Sequence, residues 1–358
     1  MTGLRFRGEE IRRFILENVE KHNNINKITA TKFKITRQAV NKHLQRLVEE
    51  NVLSVVGKTR NLTYKLASLV EWQRTYEIKP GIEEGAVWTQ DVRVALGQLP
   101  DNVMDIWHYG FTEMFNNAID HSDGSLIKVV MTKTAADTQM GLHDNGVGIF
   151  KKIQTALNLL DERHAVLELA KGKFTTDPKN HTGEGVFFTS RLLDSFDILS
   201  GGVFFTHQFG KKEDWILERE KFQNGTSVLM KLYNHTARTP KKIFDIYTGG
   251  DDYGFSKTVV PVNLTKYGDD NLISRSQAKR LLARIELFKE VIFDFTGVDS
   301  VGQAFADEIF RVFANQHPNI TMHAIHANSQ IKRMIERAKL GGASEANPIF
   351  QYFADPSS

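Results

Sequence analysis

Glu113, Asn117 and His121 stand four residues apart in the stretch FTEMFNNAIDHSDG. On a helix, expected over about 103–121, that spacing puts the three on one face, with Asp120 near it. Met114, Phe115, Ala118 and Ile119 lie largely off that face, where they can pack inward. A carboxylate in such a row can orient or deprotonate a hydroxyl. A carboxamide oxygen can bind Mg²⁺, a hard ion that takes oxygen ligands and keeps most of its waters and phosphates. The same row also fits a solvated polar face.

Three further segments carry comparable chemistry. The strand TQMGLHDNGVGIF ends in Asp144-Asn145-Gly146-Val147-Gly148. A carboxylate at a strand end can accept the exocyclic amine of adenine, and glycines let backbone approach a ligand without a Cβ clash. A lone Gly-x-Gly fits a plain turn equally. His181-Thr182-Gly183-Glu184-Gly185-Val186 opens the helical run FFTSRLLDS. Free N–H groups and the positive dipole end at such a start suit phosphate. Last, the strand pair SGGVFF and GTSVLMKL carries Gly225-Thr226.

The elements that must position these residues fall into three blocks. The chain has 358 residues, 46 Lys plus Arg, 43 Asp plus Glu and no cysteine. That length suggests two or three domains, and the absence of cysteine excludes disulfides, thiolate metal sites and a Cys nucleophile. No apolar run approaches the ~18 residues of a membrane span, and the first residues lack a signal-peptide core. A soluble, cytoplasmic protein with no membrane partner is expected. Boundaries are expected at the breakers Lys79-Pro80-Gly81 and along Thr239-Pro240 to Asp252, giving domains over 1–75, 80–240 and 255–345. The tail NPIFQYFADPSS is expected to fray.

Charge is uneven: residues 1–66 hold 14 Lys/Arg against 6 Asp/Glu, although the whole chain carries only +3. Ile11, Phe14, Ile15 and Val19 have helical spacing. Thr36 is a good N-cap for the helix RQAVNKHLQRLVEEN, whose apolar stripe is Ala39, Val40, Leu44, Leu47 and Val48. The opposite face carries Arg37, Gln38, Asn41, Lys42 and Gln45, side chains able to reach base edges and phosphates in a major groove. Two short strands follow around a basic tip that includes Lys58 and Arg60. This block resembles a winged helix-turn-helix domain of bacterial regulators, which implies duplex DNA as partner through Arg37, Gln38, Asn41, Lys42, Lys58 and Arg60. A protein-interaction module with a solvated basic face is the alternative.

The middle block, over roughly 90–235, reads E-x-x-x-N-A-x-x-H, then D-x-G-x-G, then T-G-x-G, then G-T. In that order the motifs resemble the GHKL ATPase fold of gyrase, the heat-shock chaperone, histidine kinases and MutL. Glu113, Asn117 and His121 look most like the anti-sigma serine kinases. The resemblance implies a Bergerat-type α/β sandwich binding ATP and Mg²⁺, with Asn117 as metal ligand and Glu113 as general base or water-orienting residue. It implies that Asp144 binds adenine, supported by Thr226. Gly146, Gly148, Gly183 and Gly185 would line the pocket and hold the phosphates, with Thr182 beside them. Residues 150–180 would form a lid, from which Lys171, Lys173 or Lys179 could reach phosphate, or stay solvated. No Walker sequence G-x-x-x-x-G-K-[ST] occurs. His108 is expected to be a partly buried structural histidine, and His121 either joins the site or orients Glu113.

The C-terminal block begins with the strand VIFDF, turns at Thr296-Gly297 and enters a helix bearing Phe305, Ile309, Phe310 and Phe313. The strand ITMHAIHA and the helix SQIKRMIERAKL follow, an alternation that predicts parallel βαβ pairing. The segment D-F-T-G-V-D-S-V-G resembles a STAS domain, the fold of anti-anti-sigma factors. At the family's phosphoacceptor position stands Val301, leaving Ser300 as the nearby hydroxyl, or as a helix N-cap.

The expected fold class is therefore an α/β multidomain protein: winged helix, Bergerat-type sandwich and STAS-like βαβ domain. The expected function is ATP- and DNA-binding regulation, with weak ATPase or serine-kinase-like phosphotransfer assisted by Glu113. A non-catalytic ATP-sensing regulator and a stress or defence ATPase whose winged helix binds protein are the alternatives. An intramolecular contact between the STAS-like and ATPase modules is expected; homodimerisation is left open.

Overall fold

A computed structural model describes residues 2–57, 62–174, 183–211, 214–249, 252–266 and 271–340. The N-terminal module comprises α1 (Thr2–Asn18), α2 (Ile25–Phe33), α3 (Arg37–Glu49), β1 (Leu53–Val56) and β2 (Thr63–Leu66), the strands pairing antiparallel. Thr36 caps α3 by accepting from the Ala39 N–H at 3.1 Å, as the sequence predicts. Ile11, Ile15, Val19, Val40, Leu44 and Leu47 are buried in a core separate from that of the rest of the chain.

The next strand, β3 (Val70–Glu77), already belongs to the middle module. It pairs in full register with β4, Val70 opposite Lys133 and Glu77 opposite Leu126. The passage between modules therefore precedes residue 70, and the breakers at 79–81 are a turn inside the middle module. There follow α4 (Glu84–Val87), a π-helical turn, α5 (Arg93–Leu96), α6 (Asp101–His121), β4 (Leu126–Lys133), β5 (Asp137–Asp144), α7 (Ile149–Ala156), α8 (Glu162–Lys171), α9 (Gly185–Leu192), β6 (Ser195–Gln208) and β7 (Trp215–Tyr233). The sheet is wholly antiparallel in the order β3-β4-β5-β7-β6. Alternation along β4 sends Ile127, Val129 and Met131 into the core. Val103, Ile106, Trp107, Phe111 and Phe115 of α6 belong to the same core.

Thr239 and Pro240, read as breakers, instead start α10 (Pro240–Tyr247): Thr239 Oγ1 accepts from Lys242 N, and Pro occupies the first turn, where its missing N–H goes unneeded. Ile243 is buried, and the Phe244 ring meets Tyr109 and Phe188 edge-on. The expected second linker thus includes a helix docked on the middle module.

After β8 (Thr248–Gly249) and β9 (Asp252–Phe255), the C-terminal module contains β10 (Lys257–Pro261), α11 (Arg275–Leu282), β11 (Glu290–Asp294), α12 (Gln303–Asp307), a π-helical turn, α13 (Ala314–Gln316), β12 (Thr321–Ile325) and α14 (Ser329–Leu340). Its three strands are parallel, in the order β10-β11-β12. One continuous apolar core runs from the middle module into this one. Phe255 lies 4.7 Å from Phe187 of α9 and 5.3 Å from Phe288, centroid to centroid. No described helix is long and apolar enough to cross a membrane.

Candidate functional site

A cavity of about 280 Å³ opens among α6, α7, α9 and the ends of β5 and β7. Its wall takes Glu113, Asn117 and His121 from α6, Asp144 from β5, Gly183 and Gly185 from the start of α9, and Thr226 from β7. Residues from four distant segments thus meet at one place. Asp120 is exposed and not in the wall, whereas Met114 and Ala118, expected to pack inward, do so and also line the cavity.

Asp144 is fixed by backbone donors. Its Oδ1 accepts from Gly146 N at 2.9 Å and Thr226 N at 3.1 Å. Thr226 Oγ1 accepts from Ile149 N at 2.9 Å, tying β7 to the first turn of α7. Burial beside Leu142, Ile198 and Val228 pushes the Asp144 carboxyl above the usual carboxylate range, and the hydrogen bonds from Gly146 and Thr226 oppose that shift. A carboxylate so held has lone pairs left beyond those two bonds. It can accept a donor from a planar, largely apolar ligand.

Gly146 and Gly148 are not among the residues lining the cavity. A Cβ on Gly146 would run into the Ser122 carbonyl, and one on Gly148, at φ +97°, into Ser200 Oγ. Their smallness lets the 144–148 turn pack against neighbouring backbone, and so shapes the site from behind. Asn145 is structural too: its Oδ1 accepts from Ser125 N at 2.8 Å and Leu126 N at 3.0 Å.

Glu113 faces the start of α9, where Gly185 leaves room for its carboxylate. Tyr109 lies near Glu113 and Glu184; burial first, and then these two carboxylates, hold its phenol protonated far above the usual range. His108 is exposed rather than partly buried, and its ring stacks on Trp88 at 4.9 Å. Lys152, which the motifs do not include, lines the cavity and pairs with Asp123 at 2.8 Å. It was missed in the sequence; its place one turn beyond Gly148 on α7 is the signal that could have found it.

The 150–180 segment differs from the expected lid wherever it is described. His164–Lys171 of α8 are buried. Lys171 does not reach the cavity: its Nζ donates to Glu168 Oε1 at 2.7 Å and to the carbonyls of Arg280 at 3.2 Å and Ala283 at 2.8 Å. It thereby caps the C-terminal end of α11, where a cation suits the free carbonyls. Lys173 donates to the Leu287 carbonyl at 3.0 Å. Both lysines join α8 to the C-terminal module because the apolar seam there leaves helix-end carbonyls that need donors. Lys179 and Thr182 lie outside the described residues.

Arg37, Gln38, Asn41 and Lys42 are all exposed on α3, and Asn41 Oδ1 accepts from Asn26 Nδ2. Lys58 and Arg60 lie outside the described residues. In the C-terminal module Val301 is buried and bridges Leu272, while α12 is capped by Gly302 rather than Ser300. A Cβ on Gly302 would collide with Ile273 backbone, so the 301–302 segment is held tightly against 272–273.

A family model described as a STAS-like domain of unknown function (DUF4325) matches residues 277–332, from α11 into α14. The C-terminal module is therefore STAS-like. No curated protein matches the chain.

Proposed function

We propose that the middle module is a GHKL-type site that binds ATP with Mg²⁺, and that its occupancy acts through the STAS-like module on a DNA-binding winged helix. The observation that carries this reading is the convergence of Glu113, Asn117, Asp144, Gly183, Gly185 and Thr226 on one cavity. Asp144 supplies a fixed acceptor for an adenine amine. The donor set suits Mg²⁺ arriving with phosphates: Asn117 offers an amide oxygen next to the Glu113 carboxylate. Among the described residues no group of three or more acidic or histidine side chains could hold a metal by itself. Bound Mg²⁺ would neutralise phosphate charge. Glu113 would orient water or a hydroxyl, giving slow hydrolysis or phosphoryl transfer.

Calorimetry of ATP with Mg²⁺ against the full chain tests the reading. Saturable binding that Asp144→Asn weakens by one to two decades is expected. Wild-type protein that takes up no heat at millimolar ATP rejects it. Exposed Arg37, Gln38 and Lys42 on a module of net positive charge support the duplex-DNA part.

A further inference from the structure

We propose that Arg284 of the STAS-like module is a positioning residue for the cavity: it holds the Lys173 backbone and the Phe174 ring so that Phe174 completes the cavity wall. The role assigned to the cavity rests on the nucleotide reading above; the positioning itself does not.

Phe174 lines the cavity together with Leu169 of α8 and Gly183. Its N–H donates to the Gly183 carbonyl at 3.2 Å, so it connects the end of α8 to the segment that enters α9. Gly183, at φ +72°, has no room for a Cβ against Phe174 backbone. On its other side Phe174 meets Arg284. The guanidinium carbon lies 5.0 Å from the ring centroid, Nη2 donates to the Lys173 carbonyl, and Nη1 stands 4.0 Å from Glu168 Oε2. One planar group thus lies over a ring, binds the preceding carbonyl and faces a buried carboxylate, a combination suited to a guanidinium.

The backbone presenting Arg284 is itself held from the middle module. Arg284 adopts φ +61°, a left-handed conformation that non-glycine residues rarely take. Lys171 Nζ binds the carbonyls of Arg280 and Ala283 just before it, and Lys173 Nζ binds the Leu287 carbonyl just after it. The turn is therefore bracketed by two lysines of the segment whose end it positions. Displacing the STAS-like module would withdraw Arg284 and loosen Phe174. Cavity closure and module docking become one equilibrium, which a ligand shifts only by binding the two forms unequally.

The test uses the full chain and three variants: Arg284→Ala, Arg284→Lys and Phe174→Leu. Hydrogen exchange is measured without nucleotide at 169–174, with 290–294 of β11 as control, and ATP–Mg²⁺ affinity is measured by calorimetry. Arg284→Ala is expected to speed exchange at 169–174, leave 290–294 protected, and weaken ATP about tenfold through the lost charge-assisted bond and cation–ring contact. Arg284→Lys, which keeps the charge but not the planar fork, should recover only part of the affinity. Phe174→Leu should speed exchange at 169–174 in the same way, and it decides the matter should Arg284→Ala lose protection at 290–294. Wild-type exchange at 169–174 in Arg284→Ala, or in Phe174→Leu where that control fails, overturns the proposal. So does full rescue of affinity by lysine, which would make Arg284 a plain charge contact. Absence of ATP binding by wild-type protein rejects the nucleotide reading, while the exchange arm still decides the positioning.

Discussion

A Cβ built on Gly185 would fall on the carboxylate of Glu113, inside contact distance of Oε2 and 3.3 Å from Glu113 Cβ. The first residue of α9 and the carboxylate of the α6 motif therefore occupy one space, shared only because Gly185 has no side chain. Gly185→Ala must push Glu113 aside or shift α9. A loss of about 1–3 kcal/mol is expected from such overpacking, with the fold retained. Chemical denaturation should show that loss, and ATP affinity should fall with it. A variant with wild-type stability and affinity would remove Glu113 from the start of α9.

Asp144→Asn separates stability from binding. Burial raises the Asp144 carboxyl above its ordinary value. The folded form therefore favours the proton, and the stability that Asp144 contributes is fully present below the unfolded value of ~3.9 and is lost as pH rises through the raised folded value. An asparagine has no charge to bury, and its oxygen still accepts from Gly146 and Thr226. Stability of the variant relative to wild type should thus rise from acid to neutral pH. Its amide turned to the cavity would meet the adenine amine donor to donor, so ATP affinity should drop. Parallel melting curves at pH 4 and pH 7 check the first part. A variant equally destabilised at both would show that the carboxylate is stabilised by its donors outright.

Glu113→Gln distinguishes catalysis from sensing. If Glu113 orients water or a hydroxyl, turnover should vanish while ATP affinity persists, since the amide keeps the shape and one acceptor oxygen. Phosphate release under saturating ATP is the measurement. Wild-type protein that binds ATP without turnover would assign the site to sensing.

What the sequence discloses and what it hides have separate physical causes. The Thr36 cap and the α6 face rest on spacing within one element, and the parallel C-terminal strands on the alternation of neighbouring strands and helices, so they could be read directly. The meeting of α6, β5, α9 and β7 rested on a family resemblance, because no local pattern states which segments converge. Lys171 was the opposite case. KGKFTTDPKNH reads as a basic loop, yet its first lysine is 1% exposed in its side chain. The carbonyls it caps, at 280 and 283, are more than a hundred residues away. The boundary expected between residues 75 and 80 cuts through β3 for the same reason: its partner β4 begins nearly fifty residues after β3 ends, and breakers mark turns within a domain as readily as linkers between domains. Thr239-Pro240 showed that the residues that stop one element also start the next.

Duplex DNA binding by α3 should carry a salt signature. Each phosphate neutralised on B-DNA contributes about −0.9 to the slope of log affinity against log salt. Arg37→Ala with Lys42→Ala, both exposed, should make the slope shallower by about 1.8 if each meets one phosphate. Fluorescence anisotropy with a random duplex across a salt series measures it. An unchanged slope, or no binding at low salt, would move the basic face to a different partner.

The Lys171–Glu168 pair gives the last expectation, and it concerns the joint between modules. The two side chains are 1% and 4% exposed and 2.7 Å apart. Burial lowers the Lys171 pKa, while Glu168 pulls it back up. Lys171→Met leaves Glu168 buried, faced among the described residues by Arg284 Nη1 at 4.0 Å. It also removes the lysine donor from the carbonyls of Arg280 and Ala283. Breaking a buried pair in this way is expected to destabilise by ~3–5 kcal/mol. Removing both charges, with Glu168→Leu and Lys171→Met together, should be milder, because no lone buried carboxylate remains and only the capping bonds are lost. Urea denaturation of the two variants reads the difference. A double variant less stable than Lys171→Met alone would mean that Glu168 is satisfied without its lysine, and that the joint is held by the Phe187–Phe255–Phe288 seam and the Arg284 contacts instead.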